Sequence, residues 1–199
     1  MEDSISSILI LVLLITMSAY FSATETAYSS LNKIKLKSIA NKGNKKAKLA
    51  LELSEKYDSV ISTILIGNNI VNIATASLAT VLFTKLLGSS GVTVSTIVMT
   101  ILILIFGEIS PKSIAKDIPE SFAIVSAPLL NAFCIILKPV NNLFCLWKKV
   151  INKVFKIQKH SGITEDEILT IAEEAENEGG INPQQLEIIK SAIELNDQE

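Results

Sequence analysis

The chain contains no arginine, one histidine, one tryptophan and two cysteines, and only 19% of its 199 residues are charged. A soluble domain of this size carries about 25% charge. All 18 basic residues are lysines. No basic face is interleaved with aromatics, and the isoelectric point is 5.6, so a nucleic-acid partner is not expected. Cys134 and Cys145 lie eleven residues apart, about 16 Å on a helix. That is too far for a disulfide, and both are expected as free thiols. No nucleophile–base pair, phosphate-binding glycine loop or other catalytic signature occurs, so no enzyme activity is expected. What remains is apolar: 49% of the chain is hydrophobic, with a mean hydropathy of +0.44. The charge gathers in a few places between long uncharged runs. This pattern excludes a disordered chain, a disulfide-rich secreted domain and an ordinary cytosolic enzyme, and implies an integral membrane protein.

Three segments reach the length of about 20 apolar residues that a membrane crossing needs. They run from Ile5 to Tyr28, from Ser59 to Leu87 and from Val92 to Ser110. The first is no signal peptide: Glu2 and Asp3 stand where a basic segment belongs, and the apolar run is too long. The second and third are joined by Gly88-Ser89-Ser90-Gly91, a turn with no room for a domain. Residues 33 to 56 hold eight lysines against Glu52 and Glu55, which makes this stretch cytoplasmic by the positive-inside rule. The N-terminus and the Gly88–Gly91 turn then lie outside, with Lys112 and Lys116 inside.

A fourth apolar stretch, Ile118 to Trp147, carries lysines at both ends and is interrupted by Pro128, Lys138 and Pro139. A single crossing would place one lysine cluster outside. The stretch therefore reads as a re-entrant hairpin or as helices in the interface, and a fourth span is the alternative. The lysine-rich segment from Asn32 to Lys56 reads as a basic interfacial helix on anionic lipid, divided at Gly43, with Ile34, Leu36, Ile39, Ala47, Ala50 and Leu53 as its apolar positions.

After Gly162 the chain becomes acidic, with eleven acids and one lysine between Thr164 and Glu199. Thr164-Glu165-Asp166-Glu167 reads as a capping box, and Ile168, Ile171, Ala172 and Ala175 recur at helical spacing. Gly179-Gly180 ends this helix, and Asn182-Pro183 opens a second one with Leu186, Ile189 and Ile193 on its apolar face. The chain stops at Asn196-Asp197-Gln198-Glu199 without a natural ending and is expected to be a fragment.

The informative residues are the polar ones within the spans, because an ionisable group at the bilayer centre costs about 2–3 kcal/mol or more. Glu108 lies about 24 Å from the outer surface at 1.5 Å per residue. Pro111 removes a donor to the carbonyl of Gly107, which sets a free carbonyl beside a carboxylate. Asn68 and Asn72 share one face of the second span, and Ser18 and Ser22 share one face of the first, at similar depth. Thr24, Glu25, Thr26 and Asn69 lie nearby, and Glu25 is as well suited to pairing with Lys112 or Lys33. Hydroxyls, amide oxygens, a carboxylate and a carbonyl make an oxygen-only set. It argues against zinc, copper or iron and suits Mg²⁺, Ca²⁺ or Na⁺. The competing reading is that Asn and Ser merely hold helices together, at about 0.6–2 kcal/mol each.

Phe21-Ser22-Ala23-Thr24-Glu25-Thr26-Ala27, Gly67-Asn68-Asn69-Ile70-Val71-Asn72 and Gly107-Glu108-Ile109-Ser110-Pro111-Lys112 resemble the transmembrane domain of the CNNM/CorC family, once described as hemolysin-like. The resemblance covers essentially the whole chain, with the three motifs in order and each in its expected span. It implies an all-α integral membrane protein with three transmembrane helices, re-entrant and juxtamembrane belt helices, and a cytoplasmic acidic helical bundle. The transmembrane part would be residues 1–160 and the bundle 161–199, the whole forming a homodimer in the plasma membrane. In that family a pair of CBS modules that bind Mg²⁺-ATP follows; nothing here resembles them. The family is associated with Mg²⁺ efflux and with Na⁺ as the coupling ion. By motif, the ligands of a transported Mg²⁺ would be Ser18, Ser22, Asn68 or Asn72, the Gly107 carbonyl and the Glu108 carboxylate. A membrane Mg²⁺ sensor or scaffold without transport, and a cation channel, are the alternatives.

Overall fold

The computed structural model describes residues 2–141, 143, 165–177 and 179–194. Among the described residues every regular element is a helix. The chain separates into two compact units, Met1–Trp147 and Lys148–Glu199; the expected boundary at 160/161 falls outside the described residues.

In the first unit, α1 (Glu2–Ser30) has 29 residues and α4 (Tyr57–Leu87) has 31. At 1.5 Å per residue each is about 45 Å long, more than a bilayer core requires. Between them lie α2 (Lys33–Asn41) and α3 (Lys45–Glu55). Asn32 and Asn44 cap these short helices, each accepting two backbone N–H bonds. Gly43, at φ 90, makes the expected break between them. A 3₁₀ turn, Gly88–Ser90, then reverses the chain into α5 (Gly91–Leu102), which lies antiparallel to α4. The helix continues through a π-helical segment, Ile103–Ile109, into α6 (Ser110–Asp117). Three apolar stretches qualify as spans by length and hydropathy: Ile5–Ser30, Tyr57–Asp117 and Pro119–Ile136. The second is a hairpin and supplies two passes.

α7 (Pro119–Ile136) is long enough to cross, yet its start and the chain five residues beyond its end are held at the same end of the bundle. At its start, the Glu120 carboxylate accepts from the Asn32 backbone N–H at 3.1 Å and from Lys35 Nζ at 2.9 Å. Beyond its end, Asn141 Nδ2 donates to the Ser59 carbonyl at 2.9 Å and to Thr63 Oγ1 at 3.0 Å. Asn32 follows α1 and Ser59 begins α4, so both anchors sit beside the lysine-rich connection. In between, Tyr20 Oη donates to the Ser126 carbonyl at 2.9 Å, and the rings of Phe21 and Phe133 lie 5.0 Å apart. Both anchors at one end of the bundle are what a re-entrant segment or interfacial helices would give, as opposed to a fourth span. Of the two prolines expected to interrupt it, Pro128 does not: α7 runs through it, forgoing one backbone bond. The break comes at Leu137, and Lys138 and Pro139 open the next helical turn.

Two apolar clusters form the core. One gathers Phe21, Tyr28, Leu36, Leu53, Ile64 and Leu130 toward the lysine-rich end. The other gathers Leu11, Ala79, Leu82 and Met99 toward the Gly88–Ser90 turn. Leu9, Ile73 and Ile97 point outward, each more than half exposed, as lipid-facing residues do. Ile34 does not join the apolar face expected of α2. It is 82% exposed, because it lies two residues, and so more than half a helical turn, from the buried Leu36.

In the second unit, α8 (Glu165–Asn177) and α9 (Pro183–Glu194) pack on each other, with Ala172 buried. Thr164 of the expected capping box lies outside the described residues. The start of α9 is as read from the sequence: Asn182 Oδ1 accepts from Gln185 N–H at 2.8 Å, and Gln185 Oε1 accepts from Asn182 N–H at 2.9 Å. Lys190 Nζ lies 2.7 Å from Glu173 Oε1.

Candidate functional site

The polar residues of the three spans converge where the two apolar clusters meet. Phe21 is the reason α1 and α4 lie so close there. A Cβ on Gly67 would stand 2.5 Å from Phe21 Cζ, so the ring packs directly on the glycine backbone. One turn along α1 from Phe21, the Ser18 hydroxyl faces α4 and donates at 2.8 Å to Asn72 Oδ1 and at 3.1 Å to Asn68 Oδ1. A hydroxyl carries one proton. Three oxygens thus meet around one hydroxyl hydrogen, with Ser18 buried and the two asparagines half-buried.

Glu108 joins from the third span, its Oε1 3.5 Å from Asn72 Nδ2. That is at the long limit of a hydrogen bond, so the carboxylate is held loosely. Gly107 brings its backbone in beside Ser18: a Cβ there would lie 3.0 Å from Ser18 Oγ. Ser22, one turn from Ser18, is fully buried and its hydroxyl has no hydrogen-bond partner. An orphaned buried hydroxyl costs about 1–3 kcal/mol, and Tyr28 Oη and Asn141 Oδ1 are also without a partner.

All six residues singled out in the sequence, Ser18, Ser22, Asn68, Asn72, Gly107 and Glu108, therefore lie on facing sides of α1, α4 and the π segment. The neighbouring polar residues do not join them. Thr24 and Thr26 donate to the carbonyls of Tyr20 and Ser22 on their own helix. Asn69 faces outward. Glu25 pairs with Lys112 at 3.1 Å rather than with Lys33. Among the described residues no three His, Cys, Asp or Glu side chains gather at one point, so the donor set is hydroxyl, amide and a single carboxylate. Hard cations take such oxygens.

The π segment was not foreseen. The Ser110 N–H reaches five residues back, to the Ile105 carbonyl. In this register the donor that Pro111 lacks would have gone to Phe106, and in an ordinary α-helical register to Gly107. The turn that carries Gly107 and Glu108 is thus wide and short of donors. π-bulges of this kind are rare and frequent at functional sites. The spacing of Gly107 and Pro111 was the only signal in the sequence.

Residues 9–185 match the cyclin M transmembrane N-terminal domain. A UPF0053 protein of Haemophilus influenzae is 42% identical over 62% of this chain and 30% of its own length. The UPF0053 inner membrane protein YfjD of Escherichia coli is 44% identical over 57% of this chain and 27% of its own. The polyamine export protein of H. influenzae is 28% identical over 95% of this chain and 47% of its own. The chain thus spans less than half the length of each. It is a multi-pass membrane protein and belongs to the cyclin M (CNNM) transmembrane domain family.

Proposed function

We propose that this chain is the membrane-embedded part of a Mg²⁺ exporter that uses Na⁺ as counter-ion. It acts as a homodimer in the plasma membrane, with its N-terminus outside and the acidic helices in the cytoplasm. The observation that carries this reading is the meeting of Ser18 Oγ, Asn68 Oδ1 and Asn72 Oδ1 around one proton, with Glu108 beside them. Surplus lone pairs in a half-buried place between helices favour a hard cation. Ser22 supplies a further hydroxyl without a partner. Gly107 and Glu108 supply a carbonyl and the only negative charge among the six ligands.

Mg²⁺ demands near-octahedral oxygens at 2.0–2.1 Å and sheds water reluctantly. One carboxylate leaves the site at +1 with Mg²⁺ bound and neutral with Na⁺. Na⁺ entering from outside then competes for the same oxygens and favours the state that has released Mg²⁺. The spans must open the site to each side in turn, as secondary transporters do. The test loads liposomes with a Mg²⁺-sensitive dye and imposes a Na⁺ gradient on wild type and Glu108→Gln. Na⁺-dependent Mg²⁺ movement that is lost in the variant is expected. Movement in the variant equal to wild type overturns the site. Movement without Na⁺ indicates a channel, and binding without movement a sensor.

A second reading has one specific support, the relative named a polyamine export protein. Ammonium groups donate hydrogen bonds to oxygens, and an organic polycation would use the same lone pairs. Mg²⁺ flux unaffected by excess linear polyamine separates the two.

A further inference from the structure

Between α4 and α5 runs a cleft of about 250 Å³, on the side of the oxygen cluster nearer the Gly88–Ser90 turn. Thr80, Ser95, Thr96 and Thr100 place hydroxyls in a lipid-embedded part of the chain, where apolar side chains would be the default. Two of these hydroxyls have spent their protons: Thr80 Oγ1 donates to the Ala76 carbonyl at 2.8 Å and Thr96 Oγ1 to the Val92 carbonyl at 2.9 Å. What they offer is lone pairs, which suits water hydrogens and cations. Ser95 is 1% exposed, so the polar lining reaches into the helix contact.

The cleft also leads somewhere. Ala76 is one turn from Asn72 on α4, and Leu104, which lines the cleft on the opposite wall, is one turn from Glu108. Thr96, Thr100, Leu104 and Glu108 lie four residues apart on a single row. Ile103 lies at the end of the cleft nearer the cluster, one turn before Gly107 on the same helix. Its Cγ2 lies 3.5 Å from where a Cβ on Gly107 would be, against the same glycine that abuts Ser18. Ile103 is also the first residue of the π segment, the wide turn that carries Gly107 and Glu108. A register change of that segment toward α would turn Ile103 and Glu108 relative to one another about the helix axis, because the angle per residue differs between the two registers.

We propose that the cleft between α4 and α5 is the outer half of the ion path, and that Ile103 is the apolar gate that closes it from the oxygen cluster. The proposal rests on the transport reading above and adds its route and gate. The cleft is open on one side and mostly apolar, with Ala76, Met99 and Leu104 beside the hydroxyls, and a branched aliphatic side chain at its inner end closes such a passage by excluding water.

The experiment reads water access rather than flux, so it succeeds or fails independently of the transport reading. The full chain, with Cys134→Ser and Cys145→Ser, is placed in sealed liposomes and treated from outside with a membrane-impermeant thiol reagent. Ser89→Cys, in the turn, tags those molecules whose turn faces out. Intact mass then shows whether the same molecules carry a second tag. With Thr100→Cys a second tag is expected, and with the lipid-facing Ile97→Cys none. With Asn72→Cys a second tag is expected only when Ile103→Ala is also present, with a rate rise of at least about tenfold as access opens. A Thr100→Cys no more reactive than Ile97→Cys overturns the path. An Asn72→Cys indifferent to Ile103→Ala overturns the gate. Tagging as expected in a protein that moves no Mg²⁺ leaves the hydrated path standing and sinks the transport reading alone.

Discussion

Gly107 and Ser18 approach so closely that a methyl group on the glycine would stand 3.0 Å from the serine Oγ and 3.4 Å from its Cβ. Only the hydroxyl is in the way. Gly107→Ala is therefore expected to push Ser18 off its asparagine partners and to lower thermal stability by about 1–3 kcal/mol, the usual cost of overpacking. Ser18→Ala should recover most of that loss when combined with it, since the remaining 3.4 Å contact is ordinary. Melting curves of the two single variants and the double variant in detergent give the coupling. Strictly additive losses would mean the two residues do not press on each other.

The Gly67–Phe21 contact is tighter, at 2.5 Å to the ring. Gly67→Ala is expected to cost more than Gly107→Ala, at the upper end of about 1–3 kcal/mol or beyond. Phe21→Leu should restore stability to the Gly67→Ala protein, because a smaller side chain vacates the ring's place. Thermal unfolding of both proteins decides this; a Gly67→Ala chain as stable as wild type contradicts the packing.

The course of α7 predicts a topology. Single cysteines at Asp117 and at Lys138, in a chain freed of Cys134 and Cys145, should react with an impermeant reagent from the same side as a cysteine at Lys42. Reaction of the Lys138 position from the opposite side would mean that α7 crosses the membrane.

Two carboxylates near the lysine-rich end should differ in weight. The Glu120 side chain is 10% exposed and is held by Lys35 and by the Asn32 N–H. Glu120→Ala removes the acceptor of a half-buried backbone N–H and of the Lys35 ammonium together and is expected to cost about 1–3 kcal/mol, and Glu120→Gln, which keeps an acceptor, distinctly less. Glu25 and Lys112, 28% and 43% exposed, form an ion pair in reach of solvent or headgroups. Glu25→Gln is expected to cost under about 1 kcal/mol. Chemical or thermal unfolding of the three variants checks the order, and a Glu25→Gln loss larger than that of Glu120→Ala reverses it.

Much of the architecture was legible in the chain. The hairpin of α4 and α5 followed from Gly88-Ser89-Ser90-Gly91, and the return of α7 from lysines at both of its ends. Asn182 with Gln185 capped α9 because that pairing needs only a three-residue spacing. The six oxygen-bearing residues were singled out because polar groups in long apolar runs are expensive and because all but Ser18 fall in the three motifs shared with the family. Ile34 misled because spacing across two short helices does not say which face is covered. Pro128 misled because a helix packed on several neighbours tolerates one missing bond.

Local pattern thus decided how many times this chain enters the membrane, where it turns and which residues carry oxygen at depth. Those are properties of one segment at a time, set by hydropathy, caps and turn residues. Only the tertiary structure decided that the Ser18 hydroxyl meets both Asn68 and Asn72, that Glu25 takes Lys112, that the third span widens into a π turn and that Ile103 lines the cleft beside α4. These depend on how each span is rotated about its own axis. A helix apolar on every side carries no face signal in its sequence. The rotation is set by contacts such as Phe21 on Gly67, which join residues far apart in the chain.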